Sequence, residues 1–148
     1  MLSQDFKEFV ELLNNHKVEY LIVGGYAVGV HGHPRYTGDL DVWINATAEN
    51  AKKMIEVLND FGFSSFGLTE VDFIKPGNVI QMGYPPFRID ILTKIDGVEF
   101  MDCYANRMII QHDQISMNFI GINELKENKR ASGRPKDLDD LVNLSSKI

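Results

Sequence analysis

The chain has 148 residues, 44% hydrophobic and 24% charged, with a formal net charge of −6. That length suits one domain with a sizeable core, and the composition excludes a disordered, collagenous or low-complexity chain. The negative balance excludes a global pull on nucleic acid, the lone Cys103 excludes an internal disulfide, and no apolar run is long enough to span a bilayer.

Residues 1–148 are therefore expected to form a single soluble domain in a reducing cytoplasm. The opening stretch, MLSQDFKEFVELL, is acidic and amphipathic and lacks the apolar core of a secretion signal. Phe6, Phe9, Val10 and Leu13 recur at helical spacing and predict a helix over residues 4–15. Residues 18–23 (VEYLIV) read as a buried strand ending at Gly24-Gly25, and residues 26–30 as a short helix after the double glycine. Residues 31–38 (HGHPRYTG) form a loop, with His31 and His33 as loop residues near any substrate.

Leu40, Val42 and Ile44 alternate with Asp39, Asp41 and Trp43, which predicts a second strand. Thr47 is the expected N-cap of a helix carrying Ala51, Met54, Ile55 and Leu58 on one face and stopping at Gly62. Residues 71–74 and 79–82 are expected to pair as strands around Pro76-Gly77. RIDIL at residues 88–92 alternates as another strand, with further strands expected over 98–101 and 114–120. Residues 122–132 read as a helix closed by Gly133. Pro135 opens a last helix, with Leu138, Leu141 and Val142 on its inner face. The order predicts a mixed α/β or α+β layer fold with one sheet.

Two carboxylates two apart on a strand share a face, and their repulsion favours a cation between them. Asp39 and Asp41 fit that description, and hard oxygen ligands suit Mg²⁺ or Mn²⁺. Asp90 in RIDIL supplies a third carboxylate, on the same side as Arg88 and Leu92; three such groups can hold two ions. An Asp-x-Asp pair can equally be a solvated strand face, so its neighbours matter. Gly24-Gly25 lets a backbone approach phosphate closely, or simply makes a tight turn. Arg35 and Thr37 lie just before the acidic pair and would face phosphate oxygens or solvent. Phe6, Phe9, Met54, Phe61 and Phe63 read as core, and Cys103 as a small buried residue.

Taken together, the strings VGGYAVGVHGHPRYTGDLD, GYPPFRIDIL and ENKRASGRPKDLDDL resemble the DNA polymerase β-like nucleotidyltransferase superfamily. They are similar to small bacterial members related to the AbiEii-type toxin and lincosamide-modifying groups, over about Glu19 to Leu141. The resemblance implies a mixed, twisted sheet flanked by helices. It implies transfer of a nucleoside monophosphate from NTP to an acceptor hydroxyl on RNA such as tRNA, on protein or on a small molecule. Gly24 and Gly25 would contact the triphosphate, Asp39 and Asp41 would ligate Mg²⁺ or Mn²⁺, and Asp90 would ligate a second ion or act as base. Lys129 would lie near the nucleotide, with Arg134, Lys136 and Asp137 completing a C-terminal motif. The chain shows no separate C-terminal helical domain, so a homodimer or a partner protein, as in a toxin–antitoxin pair, would complete the acceptor surface. Two other readings compete: a non-catalytic nucleotide- or partner-binding module of the same fold, and a metal-dependent phosphohydrolase.

Overall fold

The computed structural model describes residues 2–34, 37–63, 67–84 and 86–145. Helix α1 (Gln4–Asn15) starts where the Ser3 hydroxyl accepts a hydrogen bond from the Phe6 N–H, and it buries Phe6, Phe9, Val10 and Leu13. Lys17 then adopts a left-handed φ of 59° and reverses the chain, while the Val18 N–H donates to the Leu13 carbonyl at 2.9 Å. Strand β1 (Tyr20–Val23) consequently begins two residues later than its apolar run suggests, and all its residues are buried. Helix α2 (Gly24–Val30) includes both glycines in its first turn instead of following them.

Strand β2 (Asp39–Ile44) buries Leu40, Val42 and Ile44 as alternation predicts. Helix α3 (Ala48–Phe61) is capped by the Thr47 hydroxyl, which accepts from the Asn50 N–H, and it ends at Gly62 with φ of 91°. Strands β3 (Val79–Met82) and β4 (Arg88–Leu92), helix α4 (Phe100–Ala105), strands β5 (Met108–His112) and β6 (Ile115–Phe119), and helices α5 (Ile122–Ser132) and α6 (Pro135–Ser145) complete the order.

The six strands form one mixed sheet in the order β3-β4-β2-β1-β6-β5. β1 lies inside, antiparallel to β2 and parallel to β6, and β2 runs parallel to β4. The edges are the antiparallel pairs β3–β4 and β5–β6. α1 packs on α3 and on β6, α2 lies against β1 and β2, and α5 pairs with α6. The expected mixed sheet flanked by helices is the fold observed.

Three local expectations are overturned, and one strand was not foreseen. Residues 71–74 do not form a strand: Glu70–Phe73 is a 3₁₀ turn, held by the Asp72 carboxylate accepting from the Thr69 N–H at 2.8 Å. A Thr-x-x-Asp pairing offers the backbone a helical cap that outcompetes a strand. The partner of residues 79–82 is β4 instead.

No strand forms over 98–101: Glu99 caps α4, which opens at Phe100, because Phe100 and Cys103 bury one helical face and Phe100 packs edge-on against Trp43 at 5.1 Å. Residues 108–112, unassigned in the sequence reading, pair with 115–119 through a two-residue turn in which Asp113 and Gln114 have φ of 50° and 66°. That primed turn normally advertises itself with glycine or asparagine, and here it does not. Finally, Leu138 and Val142 on α6 face solvent, while Asp137, Asp140 and Leu144 face inward.

Candidate active site

The parallel register of β2 and β4 sets Asp41 directly opposite Asp90 and Asp39 opposite Arg88. Side chains two apart on a strand share a face, so Asp39, Asp41, Arg88 and Asp90 all stand on one surface of the sheet. The Arg88 guanidinium ties this surface together. Its Nε donates to Asp90 Oδ1 at 2.8 Å, and its Nη2 donates to Asp39 Oδ2 at 2.7 Å and to Asp90 Oδ2 at 3.1 Å.

Asp41 is left out of that arrangement. Among the described residues no side chain donates a hydrogen bond to its carboxylate. Burial raises its pKa most, the charges of Asp90 and Asp39 raise it further, and Lys129 and Arg88 only partly offset them; the result is about 7. A desolvated carboxylate beside two others is a group that gains from an added cation.

Gly24 shapes the other side of Asp41. It has a left-handed φ of 68°, and a Cβ built on it would lie 2.1 Å from Asp41 Oδ2. A Cβ on Gly25 would lie 2.8 Å from Thr37 Oγ1, whose hydroxyl donates to the Asp39 carbonyl at 3.2 Å. Only glycines let the start of α2 approach the acidic face this closely.

The opposite wall comes from the α5–α6 hairpin. Gly133 ends α5 with φ of 64° and turns the chain into α6. The turn brings Lys129 Nζ within 3.1 Å of both Asp137 Oδ1 and Asp140 Oδ2. Asp137 also accepts from Ser132 Oγ at 2.8 Å and from Arg134 Nε at 2.7 Å. Burial pulls its pKa upward, yet hydrogen bonds from Arg134, Ser132 and Lys129 outweigh that and hold it at about 2. This buried cation explains the turned face of α6: its ammonium needs the two carboxylates more than the core needs Leu138 and Val142.

A cleft of about 560 Å³ lies between these walls. It gathers Gly24, Gly25, Asp39, Asp41 and Asp90 from the sheet side, and Lys129, Arg134 and Lys136 from the hairpin. Thr37 stands behind Gly25 rather than in the cleft lining, and Arg35 lies outside the described residues. His31 Nε2 donates to the Ile120 carbonyl, 2.7 Å away, which gives it a structural place.

Five carboxylates (Asp39, Asp41, Asp90, Asp96, Asp137) face five cations (Arg88, Lys94, Lys129, Arg134, Lys136) in the lining. The cleft thus escapes the negative balance of the whole chain and does not repel an anionic nucleotide.

The donor set of hard oxygens and the uncompensated Asp41 fit a divalent cation. Among the described residues no three Asp, Glu, His or Cys side chains are arranged to hold an ion as they stand. At this cluster Arg88 engages Asp39 and Asp90. Sequence reasoning put Arg88 on the acidic face but gave it no role; its spacing of two from Asp90 was the available signal.

No family model and no curated protein matches this sequence. Solved structures do match. A Thermotoga maritima protein assigned as a nucleotidyltransferase is 12% identical, with a TM-score of 0.63 over 96% of this chain and 91% of that one. A lincosamide antibiotic adenylyltransferase, solved with lincomycin bound, is 16% identical, with a TM-score of 0.56 over 99% of this chain and 98% of that one. An antigenic nucleotidyltransferase-like protein from Paracoccidioides brasiliensis is 14% identical, with a TM-score of 0.56 over 97% of this chain and 77% of that one. At such identities the likeness establishes the nucleotidyltransferase fold.

Proposed function

We propose that this chain is a divalent-metal-dependent nucleotidyltransferase that moves a nucleoside monophosphate from NTP to an acceptor hydroxyl. The observation that carries the reading is the cleft itself: Asp39, Asp41 and Asp90 on adjacent strands face a glycine-walled helix start and a basic hairpin across one space. The fold shared with the solved nucleotidyltransferases supports it.

Gly24 and Gly25 would accept the triphosphate against backbone, and Lys129, Arg134 and Lys136 would face its charge from the other wall. Mg²⁺ or Mn²⁺, held by Asp39, Asp41 and Asp90, would neutralise charge on the phosphates and lower the pKa of the acceptor hydroxyl. The acceptor oxygen attacks the α-phosphorus in line, the bond to the β-phosphate oxygen breaks, and pyrophosphate leaves. Asp90 stands as third ligand or as the base that takes the acceptor's proton. Positioning and electrostatic stabilisation carry the rate.

One observation favours the non-catalytic module instead: Arg88 neutralises two of the three carboxylates without any metal. A thermal shift with Mg²⁺ and each NTP separates the two. The enzyme reading expects stabilisation that needs both together, followed by pyrophosphate release when an acceptor is added. Stabilisation by NTP without metal, and no pyrophosphate, would favour the module; free phosphate would mark a hydrolase. The acceptors to supply are RNA including tRNA, protein, including an antitoxin-type partner, and small hydroxylated molecules, the last class prompted by the neighbour that carries lincomycin.

A further inference from the structure

We propose that Arg88 is an internal competitor for the cation, so that the carboxylates take up metal only when a triphosphate arrives to take over the guanidinium. This rests on the metal-dependent reading above and adds a control to it.

The guanidinium uses a fork that matches carboxylate geometry, and it engages both oxygens of Asp90 and one of Asp39. A divalent ion on the acidic face would draw on oxygens the guanidinium already engages, and would set its charge beside that of the guanidinium. Guanidinium and ion therefore compete for Asp39 and Asp90. Arg88 is also placed to leave. It is the first residue of β4, directly after the exposed turn that holds Gly83 and Phe87, and its side chain is part of the cleft lining.

What it needs on leaving is another anion. Among the lining carboxylates, Asp41 would be engaged by the same ion and Asp137 is already held by Lys129, Ser132 and Arg134, which leaves Asp96 or an incoming anion. A triphosphate in the cleft meets the need: its oxygens accept the same fork. Metal and triphosphate then bind with positive coupling, because each relieves the cost that Arg88 imposes on the other. In the metal-free protein the latch spares Asp39 and Asp90 from mutual repulsion.

The test is a titration of Mn²⁺ into the nucleotide-free chain, free ion being read by electron paramagnetic resonance. It is repeated with an NTP analogue whose α–β bridge cannot be cleaved. Wild type is expected to bind Mn²⁺ weakly alone and about 5- to 150-fold more tightly with the analogue, the usual span of coupling between linked sites. Arg88→Gln is expected to tighten Mn²⁺ binding without the analogue and to shrink that coupling toward unity. Arg88→Lys, which keeps the charge but not the fork, is expected to fall between them, and it carries the test should Arg88→Gln fail to fold by circular dichroism. Unchanged or weaker Mn²⁺ binding in both variants, with wild type still binding, would overturn the latch and leave the metal-dependent reading standing. No Mn²⁺ binding by any of the three proteins, even with the analogue, would overturn both.

Discussion

Two cations in this molecule each hold two carboxylates across one cleft, and they differ in how far solvent reaches them. On the sheet side Arg88, Asp39 and Asp90 have side chains 27%, 35% and 10% exposed. In the hairpin Lys129 is 7% exposed, and Asp137 and Asp140 are 2% exposed. A buried ion pair cannot lose one partner without stranding a charge away from water, whereas an exposed pair can exchange partners with solvent or ligand. The same chemistry makes a lock in one place and an exchangeable latch in the other. The lock fixes the hairpin wall, and the latch guards the acidic face.

The comparison breaks first on stability. Lys129→Met should destabilise the fold by about 3–5 kcal/mol in chemical denaturation, because Asp137 and Asp140 lose the buried cation they share, and Arg134 reaches only Asp137. Arg88→Gln should cost less under the same conditions, since Asp39 stays partly solvated when the guanidinium is removed, although Asp90 is nearly buried. Equal losses would erase the distinction between lock and latch.

Asp41 sharpens it on pH. Its folded pKa of about 7 lies above the ordinary 3.8, so the folded chain binds this proton more tightly than the unfolded chain does. Its contribution therefore falls as pH rises between those two values, and the metal-free protein should lose stability from pH 5 to pH 8. Asp39, Asp90, Arg88 and Lys129 all face this carboxylate, so the diagnostic quantity is a difference. Wild type minus Asp41→Asn, followed by melting temperature, should show the fall. A flat difference curve would contradict the burial and repulsion assigned to Asp41.

The smallest effect belongs to the outer face of α6. Val142→Ser should change stability by no more than about 0.5 kcal/mol, as an exposed substitution does. A loss of several kcal/mol would mean that the valine, and not Asp140, faces inward.

The alternation of Leu40, Val42 and Ile44 against Asp39 and Asp41 was legible in the sequence, because a strand's period of two writes itself directly into residue order. Helices α1, α3 and α5 were equally plain, with Thr47, Gly62 and Gly133 marking ends of the latter two. Helix α4 was hidden by a run short enough to fit either period, and β5 by a turn of Asp113 and Gln114 that carries no glycine. The face of α6 was misread because hydrophobicity decides which side of a helix turns inward only when no buried charge competes, and Lys129 competes from a different helix. Arg88 was legible only in part: its spacing of two from Asp90 lies in the sequence, but its reach to Asp39 depends on which strand lies beside β4.

The most direct test is incubation of wild-type and Asp41→Asn protein with α-labelled NTP, Mg²⁺ and the panel of acceptors, counting label transferred. Wild type is expected to yield labelled acceptor, and the variant to lose about a hundredfold or more, the size expected when one electrostatic stabiliser is deleted. Equal transfer by the two proteins would contradict the role given to the acidic face.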